Sequence, residues 1–215
     1  MTTKNHDLYD MVLRDKKMYP VIAYGSAGVG KTYGAVGAAI EWLGKGKKQK
    51  VLVTRPNVSF AKESGFLPGT EREKIDPWVR PIQQNFNAHG AHKGLQESWE
   101  KNGNLIYMPL EFIQGLTFDQ TFIIVDECQN MTFQQLKVFL TRTGKYSKVV
   151  LCGDIAQISP KFSSSGLAEL LQMIDYCNMN VHTIEFHKED ILRSDQCRAW
   201  IEAFQLWEGV SCARH

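Results

Sequence analysis

No run of about 18 apolar residues occurs in this chain, which excludes a transmembrane helix from the reading. The first residues, Met1-Thr2-Thr3-Lys4-Asn5-His6-Asp7, are polar and lack the apolar stretch of a signal peptide, so no membrane partner is expected. Its five cysteines stand at 128, 152, 177, 197 and 212, odd in number, far apart and without a Cys-x-x-Cys pair. That pattern excludes a disulfide framework and a cysteine zinc site, and fits reduced thiols in a cytoplasmic protein. Charge of one sign is scarce as well: the net charge is +2 with 22% charged residues. A constitutive nucleic-acid coat is therefore not implied, although a local basic groove remains compatible. Internal repeats, low-complexity tracts and a linker are also missing. With 43% of 215 residues apolar, the expectation is one domain, residues 1–215, around a single core.

What is present is an alternation of short apolar runs with helical patterns. Val21-Ile22-Ala23-Tyr24 reads as a buried strand, and a helix follows from Lys31 with Tyr33, Val36, Ile40 and Leu43 on one face. Gly34 and Gly37 would weaken that helix and imply close packing on the sheet. Further strands are expected at Val51–Thr54, Asn104–Met108, Phe122–Val125, Val149–Leu151 and Val181–Ile184. Between Arg55 and Gly103 four prolines obscure the pattern, and only Trp78 to Asn87 reads as helical. Thr132 to Thr143 reads as a helix with a capping box from Thr132 and Gln135 and a staple from Met131 to Leu136. Ser165 to Ile174 and Ser194 to Trp207 are the remaining helices, the last with Cys197, Trp200, Ile201 and Phe204 inward. Uncharged strands alternating with helices predict an α/β fold, a mainly parallel sheet covered on both faces.

Three motifs carry chemistry. Gly25-Ser26-Ala27-Gly28-Val29-Gly30-Lys31-Thr32 is a complete phosphate-binding loop between a strand and a helix. Its glycines let backbone N–H groups converge on phosphate oxygens at a helix N-terminus; Lys31 would reach the β- and γ-phosphates, and the Thr32 hydroxyl would ligate Mg²⁺. The adjoining Tyr33 joins these eight as a candidate cofactor contact. Phe122-Ile123-Ile124-Val125-Asp126-Glu127 is a buried strand delivering two carboxylates: Asp126 for the metal shell and Glu127 as general base toward water. Leu151-Cys152-Gly153-Asp154-Ile155-Ala156-Gln157 places Gln157 where it would sense the γ-phosphate, or is simply a turn.

Together these residues resemble the PhoH family of ATPases, whose core is similar to the first RecA-like domain of superfamily 1 helicases. The resemblance extends over Thr54-Arg55-Pro56, Gly65-Phe66-Leu67-Pro68-Gly69, Asp76-Pro77-Trp78-Val79-Arg80-Pro81, Asp126-Glu127-Cys128-Gln129-Asn130, Phe139-Leu140-Thr141-Arg142, Gly153-Asp154 with Gln157, Ser165-Gly166-Leu167 and Asp190-Ile191-Leu192-Arg193. It implies a three-layer α/β/α P-loop NTPase with the sensor strand between the two nucleotide-binding strands. It also implies ATP and Mg²⁺ as cofactors, ring-like homo-oligomers such as hexamers, and work on RNA or single-stranded DNA. With one RecA-like domain, an arginine finger would come from a neighbouring copy; Arg193 and Arg142 are the candidates, the alternative for Arg193 being a surface helix-end arginine. The chain departs from the family where Asn5-His6 replaces an Asn-Gln pair expected at adenine, and where Gln114 and Leu116 replace arginines. It reads as the minimal form, without a nuclease-like or RNA-binding extension.

Two other functions compete with an ATPase acting on nucleic acid. A nucleotide-gated assembly protein would carry the same motifs. A small-molecule kinase would need an arginine-rich lid that the sequence lacks. The pair His89 and His92, the lysines at 45–50, and Phe60, Phe66 and Trp78 read as solvated or self-packing features.

Overall fold

A computed structural model describes residues 2–46, 48–56, 71–113, 115–155 and 165–212. Six strands form one sheet: β1 (Val21–Gly25), β2 (Lys50–Thr54), β3 (Leu105–Tyr107), β4 (Thr121–Val125), β5 (Lys148–Gly153) and β6 (His182–Phe186). Their order is β3-β2-β4-β5-β1-β6, and every pairing is parallel. The sensor strand β5 lies between β1 and β4, as the resemblance implies.

Alternation of side chains explains why the central strands β1, β2, β4 and β5 bury no charged residue apart from Lys148. Val21, Ala23, Val51, Val53, Phe122, Ile124, Val150 and Cys152 point to one face, where they pack with helices α1 (Lys4–Leu13), α2 (Lys31–Gly44) and α3 (Glu71–Ala88). Ile22, Leu52, Ile123, Val125, Val149 and Leu151 point to the other, against α5 (Phe133–Leu140) and α6 (Gly166–Tyr176). A strand buried on both faces must be apolar at odd and even positions alike. The result is three layers, with α4 (Lys93–Lys101) beside β3 and α7 (Asp195–Cys212) after the last strand.

Several elements differ from expectation. Helices α1 and α4 are additional. α1 buries only Tyr9, Val12 and Leu13, and α4 buries only Gln96, so neither carries a long apolar stripe. α3 continues through Pro77 and Pro81, which masked its length in the sequence. In α2 the buried set is Ala35, Val36, Ala38, Ala39, Trp42 and Leu43, while Tyr33 is 42% exposed. Gly34 and Gly37 do permit close packing, but against helices rather than the sheet. A Cβ would lie 2.9 Å from Tyr9 at Gly34 and 2.8 Å from His89 at Gly37. The inward set expected for α7 is half right: Ile201 packs on the core, whereas Trp200 and Phe204 are each 60% exposed and stack on each other. The α5 start stands as read, with both capping-box bonds formed by Thr132 and Gln135.

Among the described residues, Lys148 is the one cation inside the sheet. Its ammonium donates to the carbonyls of Val12 and Asp15 at the end of α1. Burial pushes it down to about 8 from an ordinary 10.5. Between those values the unfolded chain binds more protons at this group than the folded one, so its contribution to stability rises with pH. Buried Cys152, pushed up to about 12, acts in the opposite sense, so the test is a difference. In urea titrations over about pH 8 to 10.5, the stability of the wild type relative to Lys148→Met is expected to rise with pH.

Candidate active site

Parallel strands end on one edge, and the three motifs meet there because β1, β5 and β4 are neighbours. The loop leaving β1 enters α2 through Gly28 and Gly30, at φ +77° and +83°. At Gly28 the left-handed backbone favours glycine, and the Arg193 side chain lies close over it, its Nε 2.7 Å from where a Cβ would stand. Lys31 donates to the carbonyls of Gly25 and Ser26, both at 2.8 Å. Burial pushes its ammonium below the ordinary value, opposed by Asp154 and the carboxylates of Glu127 and Asp126.

Four contacts brace the loop from outside. The Tyr9 hydroxyl donates to the Lys31 carbonyl at 2.9 Å, and His6 Nε2 lies 2.8 Å from the Val29 carbonyl. The Ser26 N–H donates to Phe186, and the Leu192 N–H to Gly28, both at 3.2 Å. Asn5 donates to the Glu185 carbonyl and to Asp190, so the Asn5-His6 pair is engaged with the protein itself.

On the opposite wall, the Thr32 hydroxyl donates to Asp126 Oδ1 at 2.6 Å. Burial is the main cause that raises the Asp126 carboxyl above its ordinary range, with repulsion from Glu127 adding to it. The Thr32 bond and Arg55 pull it back. Glu127 has a left-handed backbone at φ 54°, uncommon outside glycine and costing about 1–3 kcal/mol. Its carboxylate accepts from Gln129 Nε2 at 2.6 Å, and Gln129 Oε1 accepts the Asp154 N–H at 3.0 Å. Gln129 is 1% exposed, so it is a rigid bridge from Glu127 to the end of β5.

These residues line a cleft of about 460 Å³. It includes Ala27, Gly28, Gly30, Lys31, Thr32, Tyr33, Asp126, Glu127 and Arg193 from the sequence reading. The Val29 side chain is buried in the core instead. Arg142 lines a different groove, of about 140 Å³, beside Leu110 and Phe139. Gln157, Gln114, Phe60 and Phe66 fall outside the described residues. The sequence reading gave no site role to Arg55, Gln129 or Asn85, all of which line the cleft. Arg55 and Gln129 were visible inside the strings Thr54-Arg55-Pro56 and Asp126–Asn130, while Asn85, within the Trp78 to Asn87 stretch read as helical, belongs to no motif that would mark it.

Thr32 and Asp126 fit a divalent cation of the Mg²⁺ type, which prefers hard oxygen donors and takes one or two carboxylates plus substrate phosphates.

The PhoH-like protein family profile matches residues 1–205. A PhoH-like protein of Bacillus subtilis is 40% identical over 188 residues, covering 86% of this chain and 57% of its own. Protein PhoH of Escherichia coli is 34% identical over 186 residues, covering 86% of this chain and 52% of its own. The chain thus spans a little over half the length of these relatives. Among solved structures, the large terminase of a thermophilic bacteriophage, in complex with ADP, superposes with a TM-score of 0.57 at 15% identity. That match covers 91% of this chain and 48% of the terminase. At that identity the likeness concerns the fold.

The bracing of the loop can be tested by stability alone. Tyr9→Phe keeps the ring that packs on Phe186 and removes the hydroxyl from the Lys31 carbonyl. A loss of about 1 kcal/mol is expected from urea denaturation midpoints; an unchanged midpoint would show that the brace contributes nothing.

Proposed function

Because the chain belongs to the PhoH family, we propose that it binds ATP with Mg²⁺ in this cleft and hydrolyses it. The observation that carries the reading is the 2.6 Å contact of Thr32 with Asp126, set beside Glu127 held by Gln129. Loop N–H groups and Lys31 orient the phosphates. A bound Mg²⁺ held by Thr32 and Asp126 would supply charge neutralisation at the phosphate oxygens. Glu127 takes a proton from water as the water oxygen bonds to the γ-phosphorus. The bridging P–O bond breaks, and its electron pair leaves with the diphosphate.

The wider setting is proposed on the family resemblance: a soluble, cytoplasmic homo-oligomer, ring-like or hexameric, acting on RNA or single-stranded DNA. The described helices include none long and apolar enough to cross a membrane. A second reading, nucleotide-gated assembly, is favoured by one feature. Trp200, Phe204 and Trp207 are 60%, 60% and 66% exposed on α7, an apolar surface that suits a partner. Of the two arginines that the resemblance offers as a finger from a neighbour, Arg193 lies in its own chain's cleft and Arg142 lines a separate groove.

Phosphate-release assays test the site. Lys31→Ala is expected to abolish turnover. Glu127→Gln should retain ATP while lowering kcat by about 10²–10⁴-fold, and unchanged turnover in that variant would remove the general-base role. Gln129→Ala should lower kcat by roughly a hundredfold through misplacement of Glu127, with KM little changed. Stimulation by single-stranded RNA or DNA separates the first reading from assembly without stimulation.

A further inference from the structure

Arg55 stands where the sheet register places it. β2 pairs with β4 so that Thr54 is opposite Val125, and the Asp126 N–H donates to the Thr54 carbonyl at 2.9 Å. The next residue of β2 is therefore held beside the carboxylate pair. Its carbonyl accepts from the Leu110 N–H, fixing the backbone from the other side. The guanidinium reaches across: Nη1 is 3.8 Å from Asp126 Oδ2, and Nη2 is 3.9 Å from Glu127 Oε1. Neither distance is a hydrogen bond, so the pairing with these carboxylates is a matter of charge.

Among the described residues, three cations line the cleft. Lys31 lies against its own loop carbonyls and Arg193 lies over Gly28, both on the loop wall. Of the three, Arg55 stands on the carboxylate wall, with its side chain 32% exposed, at the residue that would activate water. A planar fork of donors there matches phosphoryl oxygens in charge and shape.

We infer that Arg55 is a catalytic arginine supplied in cis, whose guanidinium contacts the γ-phosphoryl oxygens of the triphosphate bound in its own chain. The inference rests on the ATPase reading proposed above. As the water oxygen bonds to phosphorus and the bridging bond breaks, the proton goes to Glu127 and the electron pair to the diphosphate. Arg55 neutralises charge on the phosphoryl group in flight. Asp126, which would share its charge with Mg²⁺, leaves the guanidinium to Glu127 and the phosphoryl oxygens. Hydrolysis then requires no arginine from a neighbouring copy.

The test uses the full chain with Arg55→Ala and Arg55→Lys, read by calorimetric binding of ADP and of ATPγS and by phosphate release. Arg55→Ala should lose affinity for ATPγS while ADP affinity is kept, and kcat should fall by about 10³-fold or more. Arg55→Lys, which retains charge without the fork, should fall between the two and covers the case in which the alanine variant does not fold. Co-expression of Arg55→Ala with Glu127→Gln supplies the cis test. No recovery is expected, because no site then has both residues on one chain. Recovery of turnover in the mixture would overturn the inference, as would equal loss of ADP and ATPγS binding, the result of a purely structural ion pair. A wild-type chain that hydrolyses nothing would sink the ATPase reading instead, while the ATPγS-to-ADP comparison would still decide whether Arg55 meets the third phosphate.

Discussion

Backbone amides in the centre of a dry sheet have no partner except the next strand, and that obligation sets this molecule's geometry. Ile22 and Val125 both lie opposite Leu151, so β1 and β4 run parallel on either side of β5 and finish at the same edge, with β1 reaching further. The phosphate loop and the carboxylates are thereby brought to one edge before any side chain at the site makes a bond. Thr32 and Asp126 then close the remaining gap with a single 2.6 Å contact. A one-residue slip of β4 would turn Ile123 and Val125 to the wrong face as well as withdraw Asp126, so the core and the site are specified together.

That coupling explains what was legible beforehand. Strands buried on both faces must be continuous apolar runs, and β1, β2, β4 and β5 could be read for that reason. The carboxylates at the tip of β4 gained meaning only beside the phosphate loop, since an apolar run followed by Asp-Glu is by itself usually a strand entering a solvated turn. Less local features were hidden. α1 buries three residues and is held by long-range bonds to Lys31, Val29 and Lys148, none of which leaves a mark in its own ten residues. α7 misled because Trp200 and Phe204 are spaced as a core face but lie outside it. The role of Arg55 depends on strand adjacency between β2 and β4, which periodicity does not reveal.

The site also concentrates costs that the core must offset. A left-handed Glu127, a carboxyl at Asp126 raised by burial and a lysine ammonium depressed by it are each unfavourable in isolation. Neighbouring contacts hold them. Gln129 bridges Glu127 to β5, Thr54 fixes the Asp126 backbone, and Thr32 shares its hydroxyl with the Asp126 carboxylate. The strained Glu127 lies in the turn after β4, held between the strand end and the short helix Cys128–Asn130.

The N-terminal residues contribute to this rigidity more directly than to selection of a base. The family resemblance implies an adenine contact near Asn5-His6. Yet the Asn5 amide donates to Glu185 and Asp190, while the His6 ring lies against Thr3 and the Val29 carbonyl. Side chains occupied in this way brace the loop against β6 and the Asp190–Arg193 turn, which in turn bonds Gly28 through Leu192. Polar readout of a base edge would have to break those bonds, and each exchange would return little net energy. Phosphates would meet three cations, Lys31, Arg55 and Arg193, in one cleft, and charge on the ligand would offset the bonds that Lys31 gives up at the Gly25 and Ser26 carbonyls. On the proposed ATPase reading, recognition would be anchored on the triphosphate, with α1 acting mechanically by keeping the loop in shape.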